Sequence, residues 1–117
     1  PKNEPNVCPN VGWIKDFQDP QGVLQATFAG DSIVSSNNSN WPLLNDPKIN
    51  KAINQAVYID DPDARAEAWG KIDDQIVAQA PAVPWVWDNQ ANIESGDVAG
   101  VINQFNANWD LSYTSVK

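Results

Sequence analysis

The chain has 117 residues, enough for one modest hydrophobic core and too few for the two lobes of a clamp-like binder. Apolar residues make up 42% and charged residues 19%, with a mean hydropathy of -0.45, the balance of a folded globular chain and not of a disordered tail. A formal charge of -8 and a sequence pI near 4.1 repel phosphate backbones, so nucleic acid is excluded as an expected partner.

Residues 1–10 are polar and carry Pro1, Pro5 and Pro9, which reads as a linker or the approach to a strand. The opening PKNEP lacks the apolar core of a signal peptide, and no stretch approaches the roughly 20 apolar residues that cross a bilayer. Any export signal is expected upstream and removed. Cys8 is the single cysteine and there is no histidine, so no disulfide closes within the chain and no cluster is spaced for zinc or haem. Cys8 reads as a small buried apolar residue, or as half of a bridge to a segment outside this sequence. No metal and no cofactor are expected.

From 11 to 17 the apolar positions Val11, Trp13 and Phe17 alternate well enough to predict a short strand. Three Asp-Pro pairs follow, Asp19-Pro20, Asp46-Pro47 and Asp61-Pro62. Each predicts a helix start, because the carboxylate accepts from the first free N–H groups while proline has no N–H to leave unsatisfied. The first helix runs through Val23, Leu24, Thr27 and Phe28 to a left-handed cap at Gly30. The second reaches about Val57, with Ile49, Ile53, Ala56 and Val57 at helical spacing. In the third, Ala68, Trp69, Ile72, Gln75, Ile76 and Ala80 share one stripe, while Arg65, Lys71, Asp73 and Asp74 face water; Pro81 and Pro84 end it.

Between the first two helices, 31–45 is a loop rich in Ser and Asn that carries Trp41 and Leu43, a length usually reserved for function. After the third helix, Pro84-Trp85-Val86-Trp87-Asp88 reads as a buried strand. Weaker strands are expected at 91–94 and 98–102 around a Gly96-Asp97 turn, with a last one within 109–116. The order predicts an α/β or α+β fold, a short sheet with helices packed on one face.

Taken in order, the motifs form a pattern: Gly12-Trp13-Ile14-Lys15-Asp16-Phe17-Gln18-Asp19-Pro20, the Asn-rich loop ending Asn45-Asp46-Pro47, then Arg65-Ala66-Glu67-Ala68-Trp69, then Ala80-Pro81-Ala82-Val83-Pro84-Trp85. In this series the chain resembles the family 5 extracellular solute-binding proteins. The resemblance implies the C-terminal portion of a two-lobed, periplasmic-binding-protein type II receptor. Residues 1–90 would be a partial C-terminal lobe, and 91–117 the crossover and return strands toward the first lobe. It implies capture of a small-molecule or peptide ligand and delivery to an ABC permease. The location would be extracellular, periplasmic or on the cell surface, with membrane attachment only through a lipid anchor outside this chain.

By the same resemblance, Asp16 matches the carboxylate that pairs with a ligand α-amino group. Such a pair needs a dry cleft, since in open water it contributes little; the plainer reading is a solvated Asp at a strand end. Trp13 resembles the aromatic that borders the ligand channel, although on a strand it would face away from Asp16, and core packing is the other reading. Asn37, Asn38, Asn40 and Trp41 fall where relatives place groups near the cleft mouth, against a solvated turn. Asp16, Trp13, Asn38 and Trp41 are thus the ligand-binding candidates. Lys15 departs from the small or polar residue of many relatives and stands where it could neutralise Asp16.

Trp69, Trp85 and Trp87 are expected in the core, Asp19, Asp46 and Asp61 as caps, and Arg65 on the exposed helix face near Asp61 or Asp63. Asn37-Asn38-Ser39 fits the glycosylation pattern but is set aside, the family resembled being mainly prokaryotic. No catalytic residue is expected: there is no histidine base and no Gly-x-Ser-x-Gly elbow. The competing readings are a carbohydrate-binding or glycoside-hydrolase fragment, using Asp16 with Asp19 or Asp60 with Asp61 as paired carboxylates, and a ligand-sensing domain of a regulator.

Overall fold

A helix follows each Asp-Pro pair; Asp46 and Asp61 are the caps with proline at the first helical position as predicted, whereas at the first pair Pro20 is itself the cap residue and the helix begins at Gln21. The structure, a computed structural model, describes residues 11–85, 93–102 and 110–117. Helix α1 spans Gln21–Phe28, α2 Pro47–Ala56 and α3 Pro62–Ala78. The Asp46 carboxylate accepts from the N–H groups of Lys48 at 2.7 Å and Ile49 at 3.1 Å, and Asp61 accepts from that of Ala64 at 2.8 Å. Asp19 accepts from the Gln21 N–H at 2.8 Å. Each carboxylate therefore satisfies a donor that the first helical turn leaves orphaned.

The three helices enclose one core. Ile49, Ile53 and Ala56 on α2 meet Trp69, Ile72 and Ile76 on α3, with Ala29 beside them and Leu24 and Phe28 of α1 packed against the cluster. Burial of each large side chain contributes on the order of 1.5–3 kcal/mol, so the α2–α3 pairing is the main source of stability among the described residues. The apolar stripe expected on α3 is narrower than its spacing implied: Gln75 and Ala80 are exposed.

Two helix ends differ from expectation in kind. Helix α1 ends at Ala29, which is extended at φ -76° and ψ 137° and whose N–H donates to the Gln25 carbonyl. Gly30 opens a 3₁₀ turn, Gly30–Ser32, and is not a left-handed cap. Its role is space: a Cβ there would lie 2.0 Å from Asn45 Oδ1, and the Gly30 N–H donates to Asn50 Oδ1 at 2.8 Å. The left-handed residue comes instead after α3, at Ala80, with φ 49°. Its N–H donates to the Val77 carbonyl at 2.9 Å, closing the helix where glycine is the usual occupant. Ala80→Gly is expected to stabilise the fold by up to about 1 kcal/mol, read as a higher urea midpoint at an unchanged slope.

Among the described residues strand content is smaller than predicted. Strands β1 (Val98–Ala99) and β2 (Ser115–Val116) pair antiparallel, Val98 opposite Val116 and Ala99 opposite Ser115. The Gly96-Asp97 turn precedes β1 as expected, and the Lys117 N–H donates to the Asp97 carbonyl at 2.8 Å. Gly100, at φ 74°, lets the chain pass Tyr113, whose carbonyl oxygen would be 2.0 Å from any Cβ.

The segment 11–17 is not a strand, nor are 81–85 or 93–94. Trp85, expected in the core, is 72% exposed. The physical reason is shared: a strand exists only as a partner in a ladder, and these segments find none among the described residues. Mixed helix and strand content is thus present, compatible with the expected class in its general sense, and among the described residues the sheet is the single β1–β2 pair. Residues 86–92, with Trp87 and the expected division after residue 90, lie outside the described residues, as do Cys8 and Trp109.

Candidate functional site

The loop after α1 is organised by one buried amide. Asn40 is 0% exposed; its Nδ2 donates to the carbonyls of Ala29 and Leu44, both at 2.9 Å, and its Oδ1 accepts from the Leu44 N–H at 2.9 Å. Ser39 Oγ donates to the Ala26 carbonyl and Ser32 Oγ to that of Gln25, stitching the loop along α1. The Ser and Asn richness that suggested a solvated or ligand-facing loop therefore serves largely to replace missing secondary-structure hydrogen bonds.

Asn38 follows the same logic. Its Nδ2 donates to the Asn40 carbonyl at 2.7 Å and its Oδ1 accepts from the Val34 N–H at 3.3 Å. Its amide is engaged at both ends inside the loop.

Two candidates do come together. Trp13 and Trp41 meet edge to face, ring centroids 6.3 Å apart at 66°, an arrangement that contributes about 0.5–1.5 kcal/mol beyond buried area. The Trp13 indole N–H donates to the Gly22 carbonyl at 2.8 Å, fixing the ring against the start of α1. Trp13 is still 39% exposed. Since 11–17 is not a strand, the opposition of faces expected between Trp13 and Asp16 does not apply.

Asp16 lies on the same segment, which packs closely on α1: a Cβ at Gly22 would be 3.3 Å from the Asp16 backbone nitrogen. The Asp16 side chain is exposed, not sheltered as its expected role requires. Lys15 does not neutralise it; the ammonium donates to Gln18 Oε1 at 3.2 Å. Asp16 has no hydrogen-bond or ion-pair partner among the described residues.

The largest departure from sequence expectation is Arg65. It does not point to water near Asp61 or Asp63. Its Nε donates to Asp19 Oδ2 at 2.5 Å, and its Nη1 donates to the carbonyls of Ala56 at 3.0 Å and Val57 at 2.8 Å. Nη2 reaches Gln21 Oε1 at 3.4 Å. One guanidinium thus closes the C-terminal end of α2, holds the entry to α1 and is itself carried by the first turn of α3. The planar fork of arginine suits this three-way contact, which an ammonium could not reproduce.

The Arg65 hydrogen bond holds the Asp19 carboxyl below its ordinary value of 3.8, burial opposing and the Gln21 N–H assisting. A carboxyl depressed in the folded state stabilises the fold above its unfolded pKa and loses that contribution as pH falls through the folded value. The Asp19 contribution is therefore expected to be constant above about pH 5 and to be lost below about pH 4, so Asp19→Asn shrinks the acid loss of stability in thermal melts across pH, leaving the share of Asp46 and Glu67, whose carboxyls are also held low.

Among the depressions of the described surface are two shallow ones. One lies between α2 and α3, bordered by Asp46, Lys48, Lys51, Gln55 and Gln79; the other lies between α1 and α3, over Leu24, Ala66, Trp69 and Gly70. None of Trp13, Asp16, Asn38 or Trp41 borders either. Among the described residues no group of three or more acidic, Cys or His side chains is arranged to hold a metal, and no helix is long and apolar enough to cross a membrane. Comparisons with protein-family models, with curated proteins and with solved structures gave no match.

Proposed function

We propose that this chain is the C-terminal part of a two-lobed solute-binding receptor, a portion of a periplasmic-binding-protein type II lobe that delivers a peptide-like solute to an ABC importer. What supports the reading is Asp16, a carboxylate with no partner among the described residues, on the same segment as Trp13, whose half-exposed ring is held against Gly22 and meets Trp41 of the 31–45 loop. The carboxylate supplies charge for a ligand ammonium, and the indoles supply an apolar wall.

An exposed carboxylate selects little in water. In this reading the shelter comes from a second lobe, which closes over the 13–16 segment and dries the ion pair. Closure is then the binding event: the ligand stabilises the closed state through contacts made only there. A receptor of this kind works outside the cytoplasm or on the cell surface and meets a permease, and this chain by itself binds weakly.

The test is fluorescence titration of the intact receptor with a panel of short peptides, comparing the native protein with Asp16→Asn. Saturable change that weakens by roughly tenfold or more in the variant, the size of one charge-assisted hydrogen bond, supports the reading. Equal binding by both proteins removes Asp16 from its role, and turnover of a glycoside by the intact protein would favour the hydrolase alternative.

A further inference from the structure

We infer that Arg65 is a positioning residue for the 13–16 segment, acting on Asp16 and Trp13 through Asp19. The inference rests on the reading of Asp16 as a ligand contact, and adds a residue far away in sequence that sets how well that contact is made.

The physical chain is short and continuous. Arg65 Nε holds Asp19 Oδ2, and Asp19 Oδ1 accepts from the Gln21 N–H. The Asp19 carbonyl accepts from the Gly22 N–H at 3.1 Å, and the Asp19 N–H donates to the Phe17 carbonyl at 2.8 Å. Gly22 in turn offers its carbonyl to the Trp13 indole and lies against the backbone of Asp16 and Phe17. The hydrogen bonds that tie Phe17, Gln21 and Gly22 together at the entry to α1 therefore all run to Asp19.

Asp19 is held from outside that turn by Arg65. Arg65 has no freedom to follow a shifting loop, because its Nη1 is committed to the carbonyls at the end of α2. The ion pair is mostly buried, with side-chain exposures of 21% for Arg65 and 19% for Asp19. It references the candidate site to the packed α2–α3 core, which is how a contact residue on irregular backbone is kept in register.

The experiment uses the intact receptor with trialanine and with N-acetyl-trialanine as probes, in the native protein, Asp19→Asn and Arg65→Lys. Asp19→Asn keeps an oxygen for the Gln21 N–H and changes the hold by Arg65, so it is the variant expected to fold. The expected result is a roughly tenfold loss for the free-amine peptide, the size of one charge-assisted hydrogen bond, and less than about twofold for the acetylated form. Equal losses for both peptides, or none, would overturn the inference while leaving the role of Asp16 intact. A native protein indifferent to acetylation would overturn that role and this inference with it.

A second readout needs no ligand. With 5-fluorotryptophan incorporated, and resonances assigned by Trp13→Phe, Trp41→Phe and Trp69→Phe, Asp19→Asn is expected to move the Trp13 and Trp41 fluorine signals and leave that of Trp69 in place. Unmoved Trp13 and Trp41 signals would contradict it.

Discussion

Asn40→Asp is expected to destabilise the protein by roughly 3–5 kcal/mol, because it buries a charge and turns two donated hydrogen bonds into repulsions. The amide nitrogen now faces the carbonyls of Ala29 and Leu44 from a site with no exposure. A carboxylate there presents oxygen to oxygen, and only the Leu44 N–H still finds a partner. The damage should be pH-dependent. A buried Asp has its folded pKa raised, so the folded form holds a proton that the unfolded chain releases, and the penalty grows as pH rises above about 4. Asn40→Ala lacks that dependence and costs about 2–4 kcal/mol through the backbone groups it leaves unpaired. Urea unfolding of both variants at pH 4 and pH 7 separates the two effects. Loss of Asn40 also frees the loop that carries Trp41, so the Trp13–Trp41 pair should loosen along with it.

Trp69→Ala carries the other large effect, about 3–5 kcal/mol, the range for deleting a large aromatic from a packed core. Trp69 is 1% exposed and sits where α3 meets α2, with α1 packed alongside. Its indole Nε1 is buried and has no hydrogen-bond partner among the described residues. That makes Trp69→Phe informative. The smaller ring leaves a void, but it also removes a donor whose burial without an acceptor costs about 1–3 kcal/mol. The Phe variant should therefore lie within about 1 kcal/mol of the native protein, far from the Ala variant, in equilibrium denaturation. A Phe variant as unstable as the Ala variant would mean that the indole nitrogen is satisfied.

The helices were legible because their signals are local. An Asp-Pro pair needs only its own next turn to act as a start, and the spacing of Ile49, Ile53, Trp69, Ile72 and Ile76 marks a buried face without reference to anything distant. Strands at 11–17 and from 84 were predicted from equally local patterns, but a strand depends on a partner that the pattern does not name, and neither 11–17 nor 84–85 finds one among the described residues. Arg65 shows the same limit for side chains. Sequence proximity favoured Asp61 or Asp63, whereas the partner that the fold supplies, Asp19, is 46 residues away. Asn40 could not be told from its neighbours Asn37 and Asn38, since composition marks the loop as polar and only packing decides which amide goes inside.

The candidate site was legible in part. Trp13 and Trp41 were named from widely separated segments and meet in the structure. The shelter expected for Asp16 is not provided by the described residues, and the amide of Asn38 is turned to bracing its own loop.

Calorimetric titration of the intact protein with short peptides bearing a free amino terminus, and with the same peptides acetylated there, bears most directly on whether this segment reads a cationic end. Binding that survives only with the free amine is the predicted result. Heats and affinities unchanged by acetylation would contradict it.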